Sequence, residues 1–159
     1  MLETYHFREI KRSQWVSEPI AGVFEFFSQA QNLNQITPPW LNFRTLTLDI
    51  QQLREGSRID YSLKLNGFPF KWTSEITEWD PPQAFTDKQI KGPFHYWEHR
   101  HSFKQRDGGT EVADSVCFAV PGFFLESIIY HLFVRNQVER IFNFRENRIR
   151  QIFGGEETG

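Results

Sequence analysis

Residues 97–118, WEHRHSFKQRDGGTEVADSVCF, decide the fold of this chain because they predict a β-hairpin with one inward face. Two alternating stretches flank Asp107-Gly108, a dipeptide typical of a two-residue hairpin turn. With that turn, the predicted cross-strand pairs are Phe103–Val112, His101–Asp114, His99–Val116 and Trp97–Phe118. A three-residue turn would place His101 opposite Ser115 and mismatch the apolar faces, so the first register is favoured.

The same alternation extends upstream and predicts an antiparallel sheet. A second hairpin is expected around Asn66-Gly67, with facing residues Ile59, Tyr61, Leu63 and Leu65 on one strand and Phe70, Trp72, Ser74 and Ile76 on the other. A further strand carries Phe85, Asp87 and Gln89 on one face, and the alternation begins at Leu41 and runs from Phe43 to Ile50. No βαβ pattern interrupts this order, so residues 57–119 predict a continuous antiparallel meander.

Strand and helix patterns lie on either side of the meander. Residues 4–12 predict a first strand, and Ser17 before Glu18-Pro19 is a helix-start signal whose hydroxyl would cap the helix. A short helix from Pro19 and a second helical piece over residues 30–35 follow. Apolar side chains at helical spacing then predict one long helix from Phe123 to Phe153.

These elements predict an α+β fold: a curved seven-stranded antiparallel sheet wrapped around a long C-terminal helix, with two short helices after strand 1. Such an arrangement can leave a cavity between the sheet and the helix. The 159 residues suit one domain, over residues 1–153, followed by a glycine-rich tail over residues 154–159.

Composition narrows the classes of function. The 18 Lys and Arg nearly balance the 20 Asp and Glu, so the chain lacks the basic footprint of a nucleic-acid-binding protein. The single cysteine, Cys117, excludes an internal disulfide, and the N-terminus lacks an apolar signal segment. A cytoplasmic protein without stable membrane insertion is therefore expected. The 17 Phe and five Trp predict an interior lined by aromatic rings.

Short motifs spread along the chain resemble those of a known family. They are Pro-Pro-Trp40, Gly56-Ser-Arg-Ile-Asp-Tyr61, Phe70-Lys-Trp72 to Trp79-Asp-Pro-Pro82, Phe85-x-Asp87-x-Gln89, Gly92-Pro93-Phe94, Trp97-x-His99-x-His101-x-Phe103 and Gly108-Gly109-Thr110 to Asp114. With the order of elements, they resemble the START-like helix-grip (SRPBCC) superfamily, in particular its polyketide cyclase/dehydrase and coenzyme Q-binding type. The resemblance implies a cavity for a hydrophobic ligand such as a lipid, quinone, polyketide or steroid. It implies no metal, nucleotide or other cofactor.

The inward strand faces supply the candidate ligand-binding residues, which are Tyr61, Trp72, Phe85, Asp87, Gln89, Trp97, His99, His101, Asp114 and Phe118. Four interpretations of the polar members remain open. They are a hydrogen-bonded cluster that satisfies itself, a head-group site for an apolar ligand, a His101–Asp114 acid–base pair, and a zinc site formed by the two histidines and Asp114. No fourth ligand is visible in the sequence, so no metal is assigned.

Two further features belong to the long helix. Arg145 interrupts its apolar stripe, and the guanidinium either pairs with a carboxylate or anchors a ligand carboxylate, phosphate or quinone oxygen. The stretch Ile128–Val134 is apolar nearly all round. It could pack against the short helices, form a cavity mouth, or provide a homodimer or transient membrane contact.

Three functions are compatible with these patterns. The first is a binding or carrier protein that encloses a hydrophobic small molecule between sheet and helix. The second is a cyclase/dehydrase-type enzyme that uses the His101–Asp114 pair in the same cavity. The third is a partner-binding module with a filled interior. An enclosed apolar cavity favours the first, and a reachable histidine with its partner inside that cavity favours the second.

Overall fold

The computed structural model describes residues 5–49 and 52–155. Within them, seven strands form one sheet: β1 (Phe7–Val16), β2 (Arg44–Thr45), β3 (Arg58–Leu65), β4 (Phe68–Asp80), β5 (Ala84–Lys91), β6 (Tyr96–Arg106) and β7 (Gly109–Ala119). The α-helices described are α1 (Ile20–Phe27), α2 (Glu126–Ile129) and α3 (Arg135–Phe153). Short 3-10 turns cover Ala30–Ile36, Pro39–Leu41 and Phe123–Leu125, and a π turn covers Tyr130–Val134.

The sheet is antiparallel throughout, with the strand order β1-β7-β6-β5-β4-β3-β2. Strands β3 to β7 pair with their sequence neighbours, which confirms the predicted meander. β1 returns from the other end of the chain to pair with β7, so Phe7 lies opposite Ala119. The predicted α+β helix-grip arrangement is confirmed.

Two tight turns fix the register of the meander. Asn66-Gly67 joins β3 to β4 and Asp107-Gly108 joins β6 to β7, and all four residues have positive φ, as this class of hairpin turn requires. The β6–β7 ladder therefore has the predicted register, with His101 opposite Asp114 and Trp97 opposite Phe118. Period-two alternation then turns the inward residues of both strands towards the same side.

The first 50 residues depart from the predicted boundaries. The first strand is Phe7–Val16 rather than residues 4–12, and Thr4 lies outside the described residues. The predicted cap at Ser17 is wrong, because Pro19 is the N-cap of α1 and the Ser17 hydroxyl donates to the Phe153 carbonyl oxygen at 2.8 Å. That bond ties the beginning of the chain to the end of α3.

The strand predicted over residues 43–50 is confined to Arg44–Thr45. Immediately after it, the amides of Leu46 and Thr47 both donate to the Asp60 carbonyl oxygen, at 2.7 and 3.3 Å, so the regular ladder ends. Leu48 is 88% exposed, which means that the alternation there does not follow a buried face. Ile50, the end of the predicted strand, lies outside the described residues.

The C-terminal helical segment spans Phe123–Phe153 as predicted, but it is not a uniform α-helix. The π turn at Tyr130–Val134 separates α2 from α3. A π turn carries an extra residue per turn and changes the face presented by the helix that precedes it. Gly154 still accepts a hydrogen bond from the Ser17 amide at 3.3 Å, and the rest of the predicted tail from residue 156 lies outside the described residues.

Two aromatic clusters hold the layers together and leave space between them. In one cluster, Phe24 and Phe27 of α1 pack against Phe85 and Phe103 of the sheet. In the other, which also contains Val116, Phe118 of β7 packs with Phe142 of α3. No helix among residues 5–49 and 52–155 is long and apolar enough to cross a membrane.

Candidate functional site

A cavity of about 230 Å³ lies between the inward face of the sheet and α3. Most of its wall is apolar. The wall includes residues from β3 to β6, from α3 and from the 3-10 turn over Ala30–Ile36, among them Leu33, Ile36, Ile59, Tyr61, Leu63, Trp72, Ile76, Phe85, Phe94, Trp97, Val138, Ile141 and Phe142. An apolar cavity of this size disfavours a partner-binding module with a filled interior.

The structure brings seven of the ten candidate residues to this wall: Tyr61, Trp72, Phe85, Asp87, Trp97, His99 and His101. The other three lie elsewhere. The Gln89 side chain accepts from the Phe94 amide at 3.2 Å and donates to its carbonyl oxygen at 2.8 Å, so it braces the turn after β5. Phe118 is 1% exposed within the β7–α3 cluster, and Asp114 is buried behind the wall.

Five charged or ionisable side chains form one buried network at the wall. Asp114 accepts from His99 Nε2 at 2.7 Å. It also accepts from Nε and Nη2 of Arg145, both at 3.2 Å. Arg145 Nη2 contacts Nδ1 of His101 at 3.1 Å, and Nε2 of His101 lies 2.8 Å from Asp87 Oδ2. A chain of contacts therefore joins Asp87 to His99 through His101, Arg145 and Asp114.

Asp114 has a closer histidine partner than the residue opposite it in the ladder. His101 Nδ1 lies 3.4 Å from Asp114 Oδ1, whereas His99 Nε2 lies 2.7 Å from the same oxygen. The two imidazole rings lie side by side, with centroids 3.8 Å apart, so a diagonal contact from β6 to β7 is within reach. His101 instead makes its shorter bond to Asp87 of β5 and stacks on Phe85 at 4.2 Å.

Arg145 belongs to the site, although it was not among the predicted ligand-binding residues. It is 6% exposed, lines the cavity and bridges the sheet to α3. Its Nη1 makes no hydrogen bond to any residue that the structure describes, which leaves donors beside the cavity. The sequence indicates an unusual position for Arg145, because a charge interrupts an apolar helical stripe there. The sequence of α3 alone does not predict that its partner is a carboxylate on β7.

The network determines the charge of its carboxylates. Burial by itself raises the pKa of Asp114, but the Arg145 guanidinium and bonds from both histidines hold that pKa well below its ordinary value of 3.8. Burial likewise raises the pKa of Asp87, and the hydrogen bond and charge of His101 outweigh it, so the pKa is lowered. Both groups are therefore carboxylates at neutral pH.

The two histidines respond differently to the same surroundings. Burial lowers the pKa of both, but bonds to two carboxylates raise the pKa of His101 above its ordinary value of 6.5. The charge of His101 further lowers the pKa of His99, which has one carboxylate partner. Arg145 is the permanent positive charge that offsets the two carboxylates, and His101 adds to it when it binds a proton. The lowered pKa of His99 keeps its imidazole neutral at pH 7, and the two histidines titrate as a coupled unit.

The histidine protonation states follow from these hydrogen bonds. His101 donates from Nε2 to Asp87, and its Nδ1 accepts from Arg145 Nη2, because a guanidinium has donors only. Neutral His99 donates from Nε2 to Asp114, so its Nδ1 carries a lone pair. That Nδ1 makes no hydrogen bond to a residue among those described.

A metal ion fits this donor set poorly. Ligand atoms of Asp87, His99 and His101 lie within 4.8 Å of one another. However, Asp87 and His101 are hydrogen-bonded to each other, and the Arg145 guanidinium contacts the same imidazole. A cation would lie beside another cation and require both His101 nitrogens to change partners. The zinc alternative that included Asp114 meets the same obstacle, since His99 and Arg145 engage that carboxylate.

A smaller hydroxyl cluster lies on the β3–β4 part of the wall. Trp72 Nε1 donates to Ser74 Oγ at 3.1 Å, and Tyr61 Oη lies 3.2 Å from the same atom. Burial, followed by the charge of Asp87, raises the pKa of Tyr61 well above 10.0, so its phenol stays protonated. Ser74 was predicted on an inward face, and the structure adds its role in orienting two aromatic rings.

The apolar stretch Ile128–Val134 is divided between core and surface. Ile129, Tyr130 and Val134 pack partly against the β7–α3 cluster. Ile128, Leu132 and Phe133 remain exposed, and Phe133 also lines the cavity. The β3–β4 turn touches this border, since Asn66 Nδ2 donates to the Phe133 carbonyl oxygen at 3.0 Å. One end of the cavity therefore borders on solvent, whereas the homodimer and membrane contacts stay predictions.

Comparisons with known proteins agree with this architecture. No curated protein matches the chain in sequence. Protein CV1439 from Chromobacterium violaceum has a similar structure, with a TM-score of 0.71 and 11% identity over 94% of this chain and 99% of that one. The Zhui aromatase/cyclase from Streptomyces sp. R1128 has a TM-score of 0.66 and 17% identity over 95% and 100%. Ginseng major latex-like protein 151 from Panax ginseng has a TM-score of 0.67 and 12% identity over 92% and 97%.

At such low identity these structures show a shared fold. The sequence match is more specific, because the family described as "polyketide cyclase / dehydrase and lipid transport" matches residues 16–143. That match supports hydrophobic-ligand binding or a cyclase-type role. The match and the helix-grip arrangement together show that the chain belongs to the polyketide cyclase/dehydrase and lipid transport family of the SRPBCC superfamily.

Proposed function

We propose that this protein binds a hydrophobic, largely aromatic small molecule in the cavity and holds an oxygen atom of that molecule against Arg145. The observation that carries the proposal is the combination of an aromatic wall with one buried, charged patch. Ligand sites of this type use apolar surface for affinity and a few fixed polar groups for orientation.

The wall favours flat rings. Tyr61 and Trp72 stack at 5.8 Å with an interplanar angle of 16°, and Trp97 meets Trp72 edge-on at 5.5 Å. Benzene enters a dry cavity of about 150 Å³, so about 230 Å³ suits a ligand of two or three rings or a folded chain. Aromatic contacts of this geometry are worth roughly 0.5–1.5 kcal/mol each beyond the area they bury.

The charged patch is preorganised for an oxygen acceptor. Two bonds to Asp114 hold the guanidinium in place, while Nη1 has no protein partner in the described chain. A carbonyl, phenol or carboxylate oxygen could accept from it without a change in the protein. Such prior fixation reduces the entropy lost on binding.

A pair of fluorescent probes tests this proposal. We expect the protein to bind 1-anilinonaphthalene-8-sulfonate more tightly than its neutral analogue N-phenyl-1-naphthylamine, because only the former offers an oxyanion to Arg145. Ile141→Trp, which puts a larger side chain into the cavity wall, should weaken both probes at least tenfold. Asn143→Trp, an exposed change on the same helix, should alter neither. Fluorescence titration measures all affinities.

Two results would contradict the proposal. One is wild-type protein that binds neither probe while its thermal unfolding remains cooperative. The other is an Ile141→Trp variant that binds both probes as wild type does, since the dyes would then be bound outside the cavity. Native mass spectrometry of protein purified from its own host, followed by extraction, would identify the physiological ligand.

A cyclase-type activity is the second candidate, and one contact favours it. The His99–Asp114 pair presents a neutral imidazole with its proton on Nε2 and a lone pair on Nδ1. This pair differs from the His101–Asp114 pair favoured by the ladder register. A neutral histidine in an aromatic cavity is suited to removing a proton next to a carbonyl, the step that begins an aldol-type ring closure.

Proton exchange of a bicyclic ketone tests this activity. If His99 acts as a base, the protein should accelerate deuterium incorporation at the α-carbons of 2-tetralone, followed by NMR in D₂O, by roughly 10²–10⁴-fold over buffer. His99→Gln should abolish the acceleration and retain binding of the fluorescent probes. His131→Gln, at an exposed position, is the control. Exchange no faster than with an equal concentration of free imidazole would leave the protein with a binding role alone.

A further inference from the structure

We propose that Gln137 forms a second polar recognition site at the opposite end of the cavity from Arg145. The ligand would then carry a hydroxyl or carbonyl group at one end and its Arg145-bound oxygen at the other, with apolar rings between them. This inference rests on the proposed binding function and specifies the class of ligand.

Gln137 packs into the cavity wall, and its amide has no hydrogen-bond partner among the described residues. It is 8% exposed and lines the cavity. It makes no hydrogen bond to any residue within the described parts of the chain. Neither amide atom is among the fully buried, unpaired side-chain atoms of the described residues, so the amide reaches the open space of the cavity and is available to a ligand.

Other amide and hydroxyl side chains on the same wall are satisfied by the protein. Thr37 donates to the Leu33 carbonyl oxygen at 2.6 Å, and Asn32 donates to that of Phe26 at 3.0 Å. These bonds stabilise local turns. Gln137 is the exception among the charged, amide and hydroxyl side chains that line the described cavity. We therefore infer that a polar group of the bound ligand is the hydrogen-bond partner of Gln137.

The spacing along α3 places the two polar sites apart. Gln137, Ile141 and Arg145 follow one another at intervals of four residues, so they lie along one face of the helix. Eight residues correspond to a rise of about 12 Å. Phe133, one turn before Gln137, is 55% exposed, whereas Arg145 is 6% exposed. Gln137 therefore lies near the open end, and Arg145 lies deep.

An amide can both donate and accept hydrogen bonds, which defines the matching ligand group. A hydroxyl or carbonyl satisfies it, whereas a second carboxylate would be buried without a counter-charge. The apolar stretch between the two sites includes Ile141, which packs with Trp72 and Leu63. Two linked rings with a polar atom at each end fit this pattern.

Two rigid probes that differ by one hydroxyl test the inference. Biphenyl-4-carboxylate offers only the oxyanion, and 4′-hydroxybiphenyl-4-carboxylate adds a hydroxyl at the far end. We expect wild-type protein to bind the hydroxylated probe roughly threefold to tenfold more tightly by isothermal titration calorimetry, as one hydrogen bond predicts. Gln137→Met should abolish or reverse that preference. Asn136→Met, at the exposed neighbouring position, should preserve it.

Thermal unfolding provides a second readout. Gln137→Met should leave Tm unchanged or raise it, because the amide that it removes makes no hydrogen bond within the described chain. A clear fall in Tm would indicate a structural role and overturn the inference. Equal binding of both probes by wild-type protein, or a preference that persists in Gln137→Met, would also overturn it while the proposed function stands. Failure of both probes to bind would count against the proposed function itself. If Gln137→Met does not fold, the wild-type comparison still decides.

Discussion

Replacing Arg145 with Met is expected to lower the free energy of unfolding by about 3–5 kcal/mol at pH 7, the cost of removing one partner from a buried ion pair. The guanidinium is the permanent positive charge beside the buried Asp114 carboxylate and the half-buried Asp87 carboxylate. Without it, Asp114 would lie in the interior with only histidines to offset its charge. Urea denaturation of the variant measures the change.

Two further variants separate this effect from general damage to α3. Adding Asp114→Asn to Arg145→Met should recover a substantial part of the loss, because the uncompensated carboxylate is then gone. Arg135→Met, on an exposed part of the same helix, should change the free energy of unfolding by less than about 0.5 kcal/mol. An Arg145→Met variant as stable as wild type would show that the buried network does not depend on the guanidinium.

Stability is expected to be greatest near the ordinary histidine pKa of 6.5 and to fall on both sides for different reasons. The raised pKa of His101 contributes stability that is complete below 6.5 and is lost as pH rises through its folded value. The lowered pKa of His99 contributes stability that is present above 6.5 and is lost as pH falls. Each unit of difference between the folded and unfolded pKa of a histidine changes the free energy of unfolding by about 1.4 kcal/mol.

Each histidine substitution should remove the pH dependence of stability on one side of the maximum only. His101→Gln should reduce the loss of stability as pH rises, and His99→Gln should reduce the loss of stability as pH falls. His131→Gln, at an exposed position, should leave both losses unchanged. Urea midpoints between about pH 5.5 and 8.5 provide the test. At lower pH, protonation of Asp87 and Asp114 removes their contribution as well, since both have lowered pKa values. If the loss of stability on the alkaline side is unchanged in His101→Gln, the raised pKa does not belong to His101.

Local chemistry explains why the meander could be predicted from sequence. A turn such as Asp107-Gly108 specifies its own backbone geometry, and the alternation on each side then fixes which residues face inward. The register between His101 and Asp114 therefore required no knowledge of the rest of the fold. The edge strand after Leu41 was overestimated, because alternation without burial, as at Leu48, does not produce a ladder.

The composition of the site was harder to predict because its partners come from distant segments. Asp114 is bonded by a residue 15 positions before it and by another 31 positions after it. A strand pattern assigns His99 and His101 to one face but does not show which carboxylate each will meet. Gln89 shows a second limit of the strand pattern. Its position in the alternation predicts an inward, ligand-binding side chain, but the side chain bonds to the nearby Phe94 backbone instead. The cavity itself depends on how α3 lies across the sheet.

The pairing of β1 with β7 has a consequence for the order of folding. Phe7 meets Ala119 across more than 100 intervening residues, whereas each hairpin of the meander joins neighbours. Closing a loop between distant segments costs conformational entropy before the paired residues make stabilising contacts, so such long-range pairing slows folding. During synthesis, β1 leaves the ribosome first but has no partner until the whole meander has emerged. The earliest strand of this sheet to be made therefore stays unpaired until its neighbour, β7, has been made.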